Sequence, residues 1–297
     1  MPTMHVGVAG TGKMGSAIAR NLLDRGYRVG VWNVEPAMMD SVVAAGATPF
    51  ERLESLVAQV DATIVMLWDD AVAREISLGR IIPGAGRGRL VIESSTLSPQ
   101  MYEELAHAAL QRGVDFLACP VIGSVDGART GALTLYPGGS SEAFERAREL
   151  LSDLGSAVKF TGSPAASGHL KLASNCMLAV LADSIGELLG IMARAGVDRS
   201  LAVETLVYML ERVATKRQQL LEGDTRPRFS GGALLKDLRL ARDSRRSLGV
   251  NAAVMDCALA EFERCIENGL GDQDYIAVGL ALEHRLTPGI TAPATRS

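Results

Sequence analysis

A lysine and an asparagine lie four residues apart in the segment KLASN, which runs from Lys171 to Asn175. Positions i and i+4 of a helix lie one above the other, so the ammonium and the carboxamide would project towards the same space. If burial lowered its pKa, the lysine could act in general acid/base catalysis. The alternative is a surface lysine whose charged end stays in water, which is the more common case for a lysine considered alone.

Three glycines in the N-terminal segment VGVAGTGKMG follow the spacing G-x-G-x-x-G. A predicted buried strand, Val6 to Ala9, precedes them, and a predicted helix, Ser16 to Arg25, follows. In this context Gly10 permits a tight turn, Gly12 lets the backbone approach a pyrophosphate and Gly15 lets the helix pack closely. The helix N-terminus offers free N–H groups to the phosphates. The pattern predicts a dinucleotide site and disfavours a purely structural glycine turn.

Apolar strands and helices continue to alternate after this unit. Further strands are predicted at Tyr27–Trp32, Asp61–Leu67, Leu90–Glu93 and Val114–Ala118, and helices at Arg52–Val60 and Pro99–Arg112. The alternation predicts an α/β fold with a parallel, doubly wound sheet that binds its ligand at the carboxyl ends of the strands. Three segments leave those ends and are candidates for ligand contact, although each could be a plain turn: LWDD from Leu67, ESSTLSP from Glu93 and CPVIGSVDGARTGAL from Cys119.

The second half of the chain has a different character, because helix formers predominate after Thr161 and strand signals cease. Helices are predicted at Ala166–Ala195, Ser200–Glu222, Leu234–Leu248 and Val250–Asn268. The first of them would be about 45 Å long, so we expect it to bridge two domains. The sequence thus predicts a dinucleotide-binding domain over residues 1–162, an all-α substrate and dimerisation domain over residues 163–284 and a disordered tail over residues 285–297.

Composition limits the class of partner. The chain has 297 residues, 47% of them hydrophobic, and a formal net charge of -4 without blocks of like charge. These values favour two domains and a small-molecule ligand, and they give no support to a nucleic-acid or membrane partner. The cysteines lack metal-ligand spacing, and no signal peptide or uninterrupted membrane span is evident. We therefore expect a reduced, cytoplasmic protein without a metal site.

The dinucleotide motif changes the interpretation of Lys171. A redox enzyme needs a group that handles the proton of the substrate oxygen. The sequence contains neither a tyrosine with a lysine four residues later nor a metal-binding cluster. Lys171 is therefore the predicted general acid/base. His169, two residues earlier, is interpreted as a structural or exposed residue.

Taken together, the blocks VGVAGTGKMG, ESSTLSP, CPVIGSVDGARTGAL, KLASN and KDLRLA resemble the β-hydroxyacid dehydrogenase family. The resemblance covers nearly the whole chain to about Gly279. It implies a Rossmann-like N-terminal domain, a long interdomain helix, an all-α C-terminal domain and a homodimer or homotetramer. It also implies hydride transfer between NAD(P) and a β-hydroxyacid or aldehyde-acid substrate, with Lys171 as general acid/base and Asn175 as the substrate-orienting amide.

The resemblance assigns further residues to two sides of the site. On the substrate side are Ser95, Ile122, Gly123, Ser124 and Arg212. On the cofactor side are Gly10, Thr11, Gly12, Lys13, Met14, Gly15, Asn33, Val34, Leu67, Thr96, Phe229 and Lys236.

Departures from the family pattern concern the substrate. Ile122 stands where the family usually has a serine that donates to a substrate carboxylate. The segment VYMLERVAT, Val207 to Thr215, is bulkier than in many relatives and contains Arg212. These changes predict a larger or less polar substrate. Ser174 stands where 6-phosphogluconate dehydrogenases carry a histidine, which argues against that substrate.

The choice of cofactor depends on the end of the second strand, where an acidic side chain binds the ribose of NAD and an arginine favours the 2′-phosphate of NADP. The residues there are Asn33, Val34 and Glu35. Val34 offers no cation and Glu35 would repel a phosphate, so the sequence favours NADH.

Two other functions stay open at this point. The unusual pocket residues would suit an imine reductase, and a dinucleotide-binding interaction protein without catalysis is also compatible with the glycine motif. Retention of Lys171 argues against both. Turnover of cyclic imines would identify the first, and cofactor binding without turnover would identify the second.

Overall fold

The structure, a computed structural model, describes residues 4–286 and divides them into two compact units. The first unit extends to Cys176, and the second contains the residues that follow. The division lies inside a 31-residue helix, Pro164–Arg194, and not after residue 162 as predicted. The first turns of this helix belong to the first unit, where Ser167 and Gly168 are buried.

The first unit is built on two sheets. Its strands are β1 (His5–Ala9), β2 (Arg28–Trp32), β3 (Thr48–Pro49), β4 (Ala62–Val65), β5 (Leu90–Glu93), β6 (Asp115–Ala118), β7 (Val121–Ile122), β8 (Leu133–Leu135), β9 (Gly138–Gly139) and β10 (Gly155–Val158). The larger sheet has the order β3-β2-β1-β4-β5-β6-β9, parallel except for β9, and the smaller has the order β10-β8-β7. The strand order changes direction between β1 and β4, which places a ligand crevice at their carboxyl ends. The predicted Rossmann-like α/β fold is confirmed.

Helices cover the sheet and form the second unit. They are α1 (Lys13–Asp24), α2 (Asp40–Val43), α3 (Leu53–Gln59), α4 (Asp70–Ala73), α5 (Ile82–Gly84), α6 (Pro99–Arg112), α7 (Val125–Thr130), α8 (Ser141–Leu154), α9 (Pro164–Arg194), α10 (Arg199–Ala214), α11 (Arg217–Glu222), α12 (Gly231–Ser247), α13 (Ala253–Cys265) and α14 (Ile276–Leu286). Between α4 and α5 the chain continues as a π-type helical segment, Arg74–Ile81. The predicted helix over residues 200–222 is interrupted at Thr215 and Lys216. Helix α14 includes the first two residues of the predicted tail, and residues 287–297 lie outside the described part.

The central strands are buried on both faces, which explains their continuous apolar sequences. Val6 and Val8 of β1 belong to one core together with Leu22 of α1. The neighbouring faces of β4 and β5, through Val65 and Val91, belong to a second core on the other side of the sheet. Because successive strand residues point to opposite faces, each strand contributes to both cores.

Helix α9 is long and apolar enough, by length and composition alone, to cross a membrane. At the usual rise its 31 residues span about 46 Å. Two of its charged side chains, however, have partners in the protein. Lys171 donates to the carbonyl oxygen of Val121 at 2.9 Å, and Glu187 accepts the backbone N–H groups of Val254 and Met255 at 3.0 and 3.1 Å. These contacts favour a packed protein helix over a membrane span.

A buried carboxylate holds the segment that leads into α12. Asp274 is fully buried and accepts both a bidentate interaction from Lys216, at 2.9 and 3.0 Å, and the backbone N–H of Arg228 at 2.9 Å. Burial by itself would raise the pKa of Asp274, but the hydrogen bonds from Lys216 and the backbone outweigh it and lower that pKa. The carboxylate therefore fixes the chain that carries Phe229 into α12.

Candidate active site

The glycine turn between β1 and α1 has the geometry that its spacing predicts. Gly10 has φ +97°, and a Cβ built on it would overlap the carbonyl oxygen of Met66 at the end of β4. A Cβ on Gly15 would overlap the carbonyl oxygen of Gly10. A Cβ on Gly12, in contrast, would meet no atom within 4 Å. The turn is therefore closed where the chain packs on itself and open where a pyrophosphate would approach.

The start of α1 is electropositive. Lys13 is its first residue and is exposed, and no acidic side chain lies in the first turn. A cation at this end of a helix is unfavourable unless an anion balances it, because the helix dipole is already positive there. The Thr11 hydroxyl oxygen is buried and has no hydrogen-bond partner among the described residues. This empty space, positive field and unused hydroxyl fit the phosphates of a dinucleotide.

Asn33 links the glycine turn to the end of β2. Its Oδ1 accepts the backbone N–H of Thr11 at 3.1 Å, and its Nδ2 donates to the carbonyl oxygen of Glu35 at 3.1 Å. The carboxamide is thus used inside the protein, whereas Val34 is 75% exposed and Glu35 is also exposed. The side chains at positions 34 and 35 remain available to a bound ribose.

Ser95 lies at the carboxyl end of β5, but its hydroxyl is used inside the protein. The residue is 1% exposed. Its Oγ accepts the backbone N–H of Leu67 at 2.7 Å and donates to the Glu93 carboxylate, and Tyr102 donates to its carbonyl oxygen. Direct substrate contact by this hydroxyl stays a prediction that the geometry does not favour. The adjacent Thr96, assigned to the cofactor, is exposed.

Glu93 is a buried ionisable residue at the end of β5, where the candidate segment ESSTLSP begins, and the sequence predicts no role for its own side chain. It is completely buried and accepts hydrogen bonds from Ser95 and, at 2.6 Å, from Ser77 Oγ. Burial raises its pKa to about 7, and the serine hydrogen bonds oppose that rise. The carboxyl group therefore joins the π-type segment to the loop after β5, directly beneath the ends of β4 and β5.

Ile122 ends β7 and is partly exposed, and Gly123 and Ser124 form the exposed turn that leads into α7. Gly123 has φ +147°, a conformation that favours glycine. The Ser124 side chain accepts the backbone N–H of Gly127 at 3.0 Å and caps α7. Strand β7 pairs with β8 through Val121 and Ile122, which fixes where this turn begins.

The first unit brings Lys171 to this turn. Lys171 Nζ is 2.9 Å from the carbonyl oxygen of Val121, immediately before Ile122. The lysine is half-buried, and desolvation lowers its pKa. Asn175 lies one turn further along α9 with its side chain exposed, and the Ser174 hydroxyl is bonded to the Lys171 carbonyl oxygen at 2.7 Å. The structure therefore places the predicted acid/base beside the predicted substrate turn.

The remaining predicted residues lie in the second unit. Arg212 is exposed on α10, Phe229 packs edge-on against Tyr275 with ring centroids 6.3 Å apart, and Lys236 is exposed on α12 beside Asp237. Their contribution to substrate or cofactor binding stays a prediction.

Two family models match the chain in succession. One, described as the NAD binding domain of 6-phosphogluconate dehydrogenase, matches residues 5–162, and the other, described as the NAD-binding of NADP-dependent 3-hydroxyisobutyrate dehydrogenase, matches residues 165–281. The first match ends and the second begins near the start of helix α9.

Similar proteins are named as oxidoreductases. The mitochondrial 3-hydroxyisobutyrate dehydrogenase of Bos taurus is 31% identical over 254 residues, which are 82% of this chain and 76% of that protein. The NAD-dependent L-serine dehydrogenase of Pseudomonas aeruginosa is 28% identical over 290 residues, 92% of this chain and 96% of that protein. Among solved structures, an imine reductase from Myxococcus stipitatus in complex with NADP+ has a TM-score of 0.84 at 20% identity, covering 94% of this chain and 99% of that one. At that identity the likeness shows a shared fold.

Proposed function

Because the chain belongs to the β-hydroxyacid dehydrogenase family and is an NAD(P)-dependent oxidoreductase of the 3-hydroxyisobutyrate dehydrogenase type, we propose that it interconverts a hydroxyl and a carbonyl group on a small acid, with Lys171 as general acid/base. The position of Lys171 carries this proposal. Its ammonium is half-buried, 2.9 Å from the Val121 carbonyl oxygen and beside the turn at Ile122. Desolvation lowers its pKa towards the range in which proton transfer is efficient at neutral pH.

The nicotinamide, when bound, supplies or accepts the hydride. The protein's own groups do the positioning. The open face of Gly12 and the N-terminus of α1 would hold the pyrophosphate. The Val121 carbonyl oxygen takes one N–H of the Lys171 ammonium, which leaves the other N–H bonds free for the substrate oxygen. Lys171 gives or takes the proton of that oxygen, and Asn175 orients the same group.

The substrate side of the site favours an acid with an apolar or bulky substituent. Ile122 stands directly beside the Lys171 anchor and is partly exposed, so it offers methyl groups where a hydroxyl would serve a carboxylate. A pocket residue that cannot donate a hydrogen bond leaves a carboxylate poorly solvated. We infer that substrates with larger aryl or alkyl groups are turned over better than the smallest aldehyde acids.

For the cofactor, the exposed Val34 and Glu35 favour NADH over NADPH. Neither side chain offers a cation to a 2′-phosphate, and the Glu35 carboxylate would repel one. The name of the similar L-serine dehydrogenase, NAD-dependent, supports the same choice. Dissociation constants for both reduced cofactors test it, and tenfold tighter binding of NADPH would overturn it.

A panel assay tests the reaction class. Oxidation of NADH and NADPH is followed with small aldehyde acids, larger keto acids and cyclic imines. Turnover of a carbonyl acid supports the dehydrogenase proposal. The acid that is turned over best then shows which size of substituent fits beside Ile122. Turnover of imines alone would identify an imine reductase, and cofactor binding without turnover would favour a non-catalytic interaction protein.

The variant Lys171→Ala tests the catalytic assignment. We expect its kcat to fall by about 10² to 10⁴, because general acid/base catalysis contributes that range. Its dissociation constant for NADH should change by less than about threefold, since the side chain is assigned to the substrate and not to the phosphates. Lys159→Ala, in the same unit at an exposed lysine over the Tyr136 ring, is the matched control. Full activity in Lys171→Ala would contradict the assignment.

We also infer a homodimer or homotetramer in the cytoplasm. The middle of α9 carries a strip of exposed apolar side chains, Met177 (53%), Leu178 (62%) and Val180 (53%). A continuous apolar strip of this kind is typical of a protein interface, and a second copy of this chain is the proposed occupant.

A further inference from the structure

Trp68 is the most exposed large apolar side chain in the described part of the chain. It is 86% exposed, whereas the other tryptophan, Trp32, is 6% exposed and packed in the core of the first unit. Tryptophan is usually buried over much of its surface, and an exposed one at a ligand-binding edge is a recurrent recognition element. Trp68 belongs to the candidate segment LWDD, in which the family resemblance assigns Leu67 alone to the cofactor.

The backbone on both sides of Trp68 is fixed. The Leu67 N–H donates to Ser95 Oγ at 2.7 Å, and the Asp69 side chain caps α4 by accepting the backbone N–H of Val72 at 2.9 Å. The exposed indole thus stands on an ordered segment and not on a free loop. Its position is set before any ligand arrives, which lowers the entropic cost of binding.

Trp68 follows the residue at the carboxyl end of β4 that meets the glycine turn. The Met66 N–H donates to the carbonyl oxygen of Ala9 at 2.9 Å, and the Met66 carbonyl oxygen occupies the space that a Cβ on Gly10 would need. Trp68 follows two residues later, past the carboxyl end of β4. The change of strand order between β1 and β4 is where a dinucleotide lies across such a sheet.

The charges beside Trp68 indicate which part of a dinucleotide it meets. Asp69 and Asp70 follow it directly, and their carboxylates would repel a phosphate. A neutral aromatic face beside two acids suits an uncharged or cationic planar ring. Both ends of NAD(P) carry such a ring, adenine at one end and nicotinamide at the other.

From this placement we propose that Trp68 stacks on a heteroaromatic base of the bound dinucleotide and contributes to cofactor affinity. The assignment rests on the proposed function only in requiring that the chain binds NAD(P). It is independent of the role of Lys171 and of the substrate.

Calorimetric titration with NADH, ADP-ribose and nicotinamide mononucleotide tests the proposal in wild type, Trp68→Phe and Trp68→Ala. Because stacking on an aromatic side chain accounts for a substantial part of base binding, Trp68→Ala should weaken NADH binding about tenfold, and Trp68→Phe should restore most of it. If affinity for ADP-ribose falls together with that for NADH while the mononucleotide binds as before, Trp68 stacks on the adenine. If affinity for the mononucleotide falls instead and ADP-ribose binds as before, Trp68 stacks on the nicotinamide. Leu110→Ala, at a 76% exposed residue near the end of α6, is the matched control and should bind as wild type does.

Unchanged dissociation constants for all three ligands in Trp68→Ala would overturn the proposal. If the molar mass in solution falls in that variant while cofactor affinity is retained, the indole belongs to an interface between copies instead. Failure of the wild type to bind any dinucleotide would overturn the proposed function together with this assignment, so the two failures are distinguishable. Thermal melts of each variant confirm that the fold is retained.

Discussion

Glu93 shows how a single residue can combine structural and electrostatic roles. Its carboxyl group is fully buried and bonded to Ser77 and Ser95, and Ser95 in turn receives the Leu67 N–H. One side chain therefore holds the ends of β4 and β5, from which Trp68 and Thr96 project. Burial raises the pKa of Glu93 to about 7, so the folded protein retains a proton that the unfolded chain has lost at mildly acidic pH.

The raised pKa predicts a pH-dependent stability. Between the ordinary glutamate pKa of 4.5 and about 7 the folded state binds more protons than the unfolded state, so this residue's contribution to stability falls as pH rises through that window. The loss by pH 8 should be about 3 kcal/mol. In Glu93→Gln this contribution is absent, so the free energy of unfolding of the variant, relative to wild type, should improve by about that amount between pH 5 and pH 8.

Urea denaturation of both proteins at the two pH values measures the effect. Glu103→Gln, at an exposed position on α6, is the control and should follow wild type at both. A difference between Glu93→Gln and wild type that stays constant with pH would show that Glu93 remains charged throughout.

At the level of elements, two glycine substitutions in the turn between β1 and α1 should distinguish an effect on fold stability from an effect on cofactor binding. Gly15→Ala places a methyl group against the carbonyl oxygen of Gly10, so the turn must open. We expect it to destabilise the fold by about 1 to 3 kcal/mol and to abolish tight NADH binding. Gly12→Ala places its methyl group in open space, so it should leave the melting temperature unchanged and weaken NADH binding by occluding the phosphates. Melting curves and calorimetry measure the two effects, and unaltered NADH affinity in Gly12→Ala would disprove the pyrophosphate position.

The long, periodic elements could be predicted from the sequence, whereas the short strands could not. The runs around β1, β4 and β5 are mostly apolar because both faces of these strands are buried, and they are bounded by glycines and helices. Strands β7, β8 and β9 have two or three residues each, too few to show a period of two. Strand β7 and the first residue of β8 lie in the segment CPVIGSVDGARTGAL, which the sequence indicates as a candidate ligand contact or a plain turn, and β9 follows that segment. The pairing of these strands depends on contacts made after the chain has folded.

The same distinction applies to the site. The glycine turn was predictable because its three positions are local. The helical setting of Lys171 could be read from the apolar sequence around it, whereas its catalytic role stays a prediction that rests on the dinucleotide motif and the family resemblance. The bond from Lys171 to Val121 joins residues 50 positions apart, and Ser77 and Glu93 meet across 16 positions, so neither partner could be read from spacing. A glutamate that ends a buried strand was the available signal for Glu93, since ionised side chains are rarely buried without a reason.

For the molecule as a whole, the exposed strip on α9 decides between a second copy and a membrane. Helix α9 is long and apolar enough to cross a membrane, and in a membrane its exposed apolar side chains would face lipid tails. Its charged residues Lys171 and Glu187, however, are bonded to protein groups. Burial of these exposed apolar side chains against the same strip of a second copy would be favourable, because it removes apolar surface from water.

Leu178→Glu tests this interpretation. The substitution puts a charge at a position that is 62% exposed in the single chain and buried in the proposed assembly. Burial of an unpaired charge is unfavourable, so we expect light scattering to show two or four chains for wild type and one chain for the variant at micromolar concentration. Leu110→Glu, at a 76% exposed position on α6, should retain the wild-type mass. A single-chain mass for the wild type together with its flotation with lipid vesicles would instead identify the strip as a membrane-binding surface.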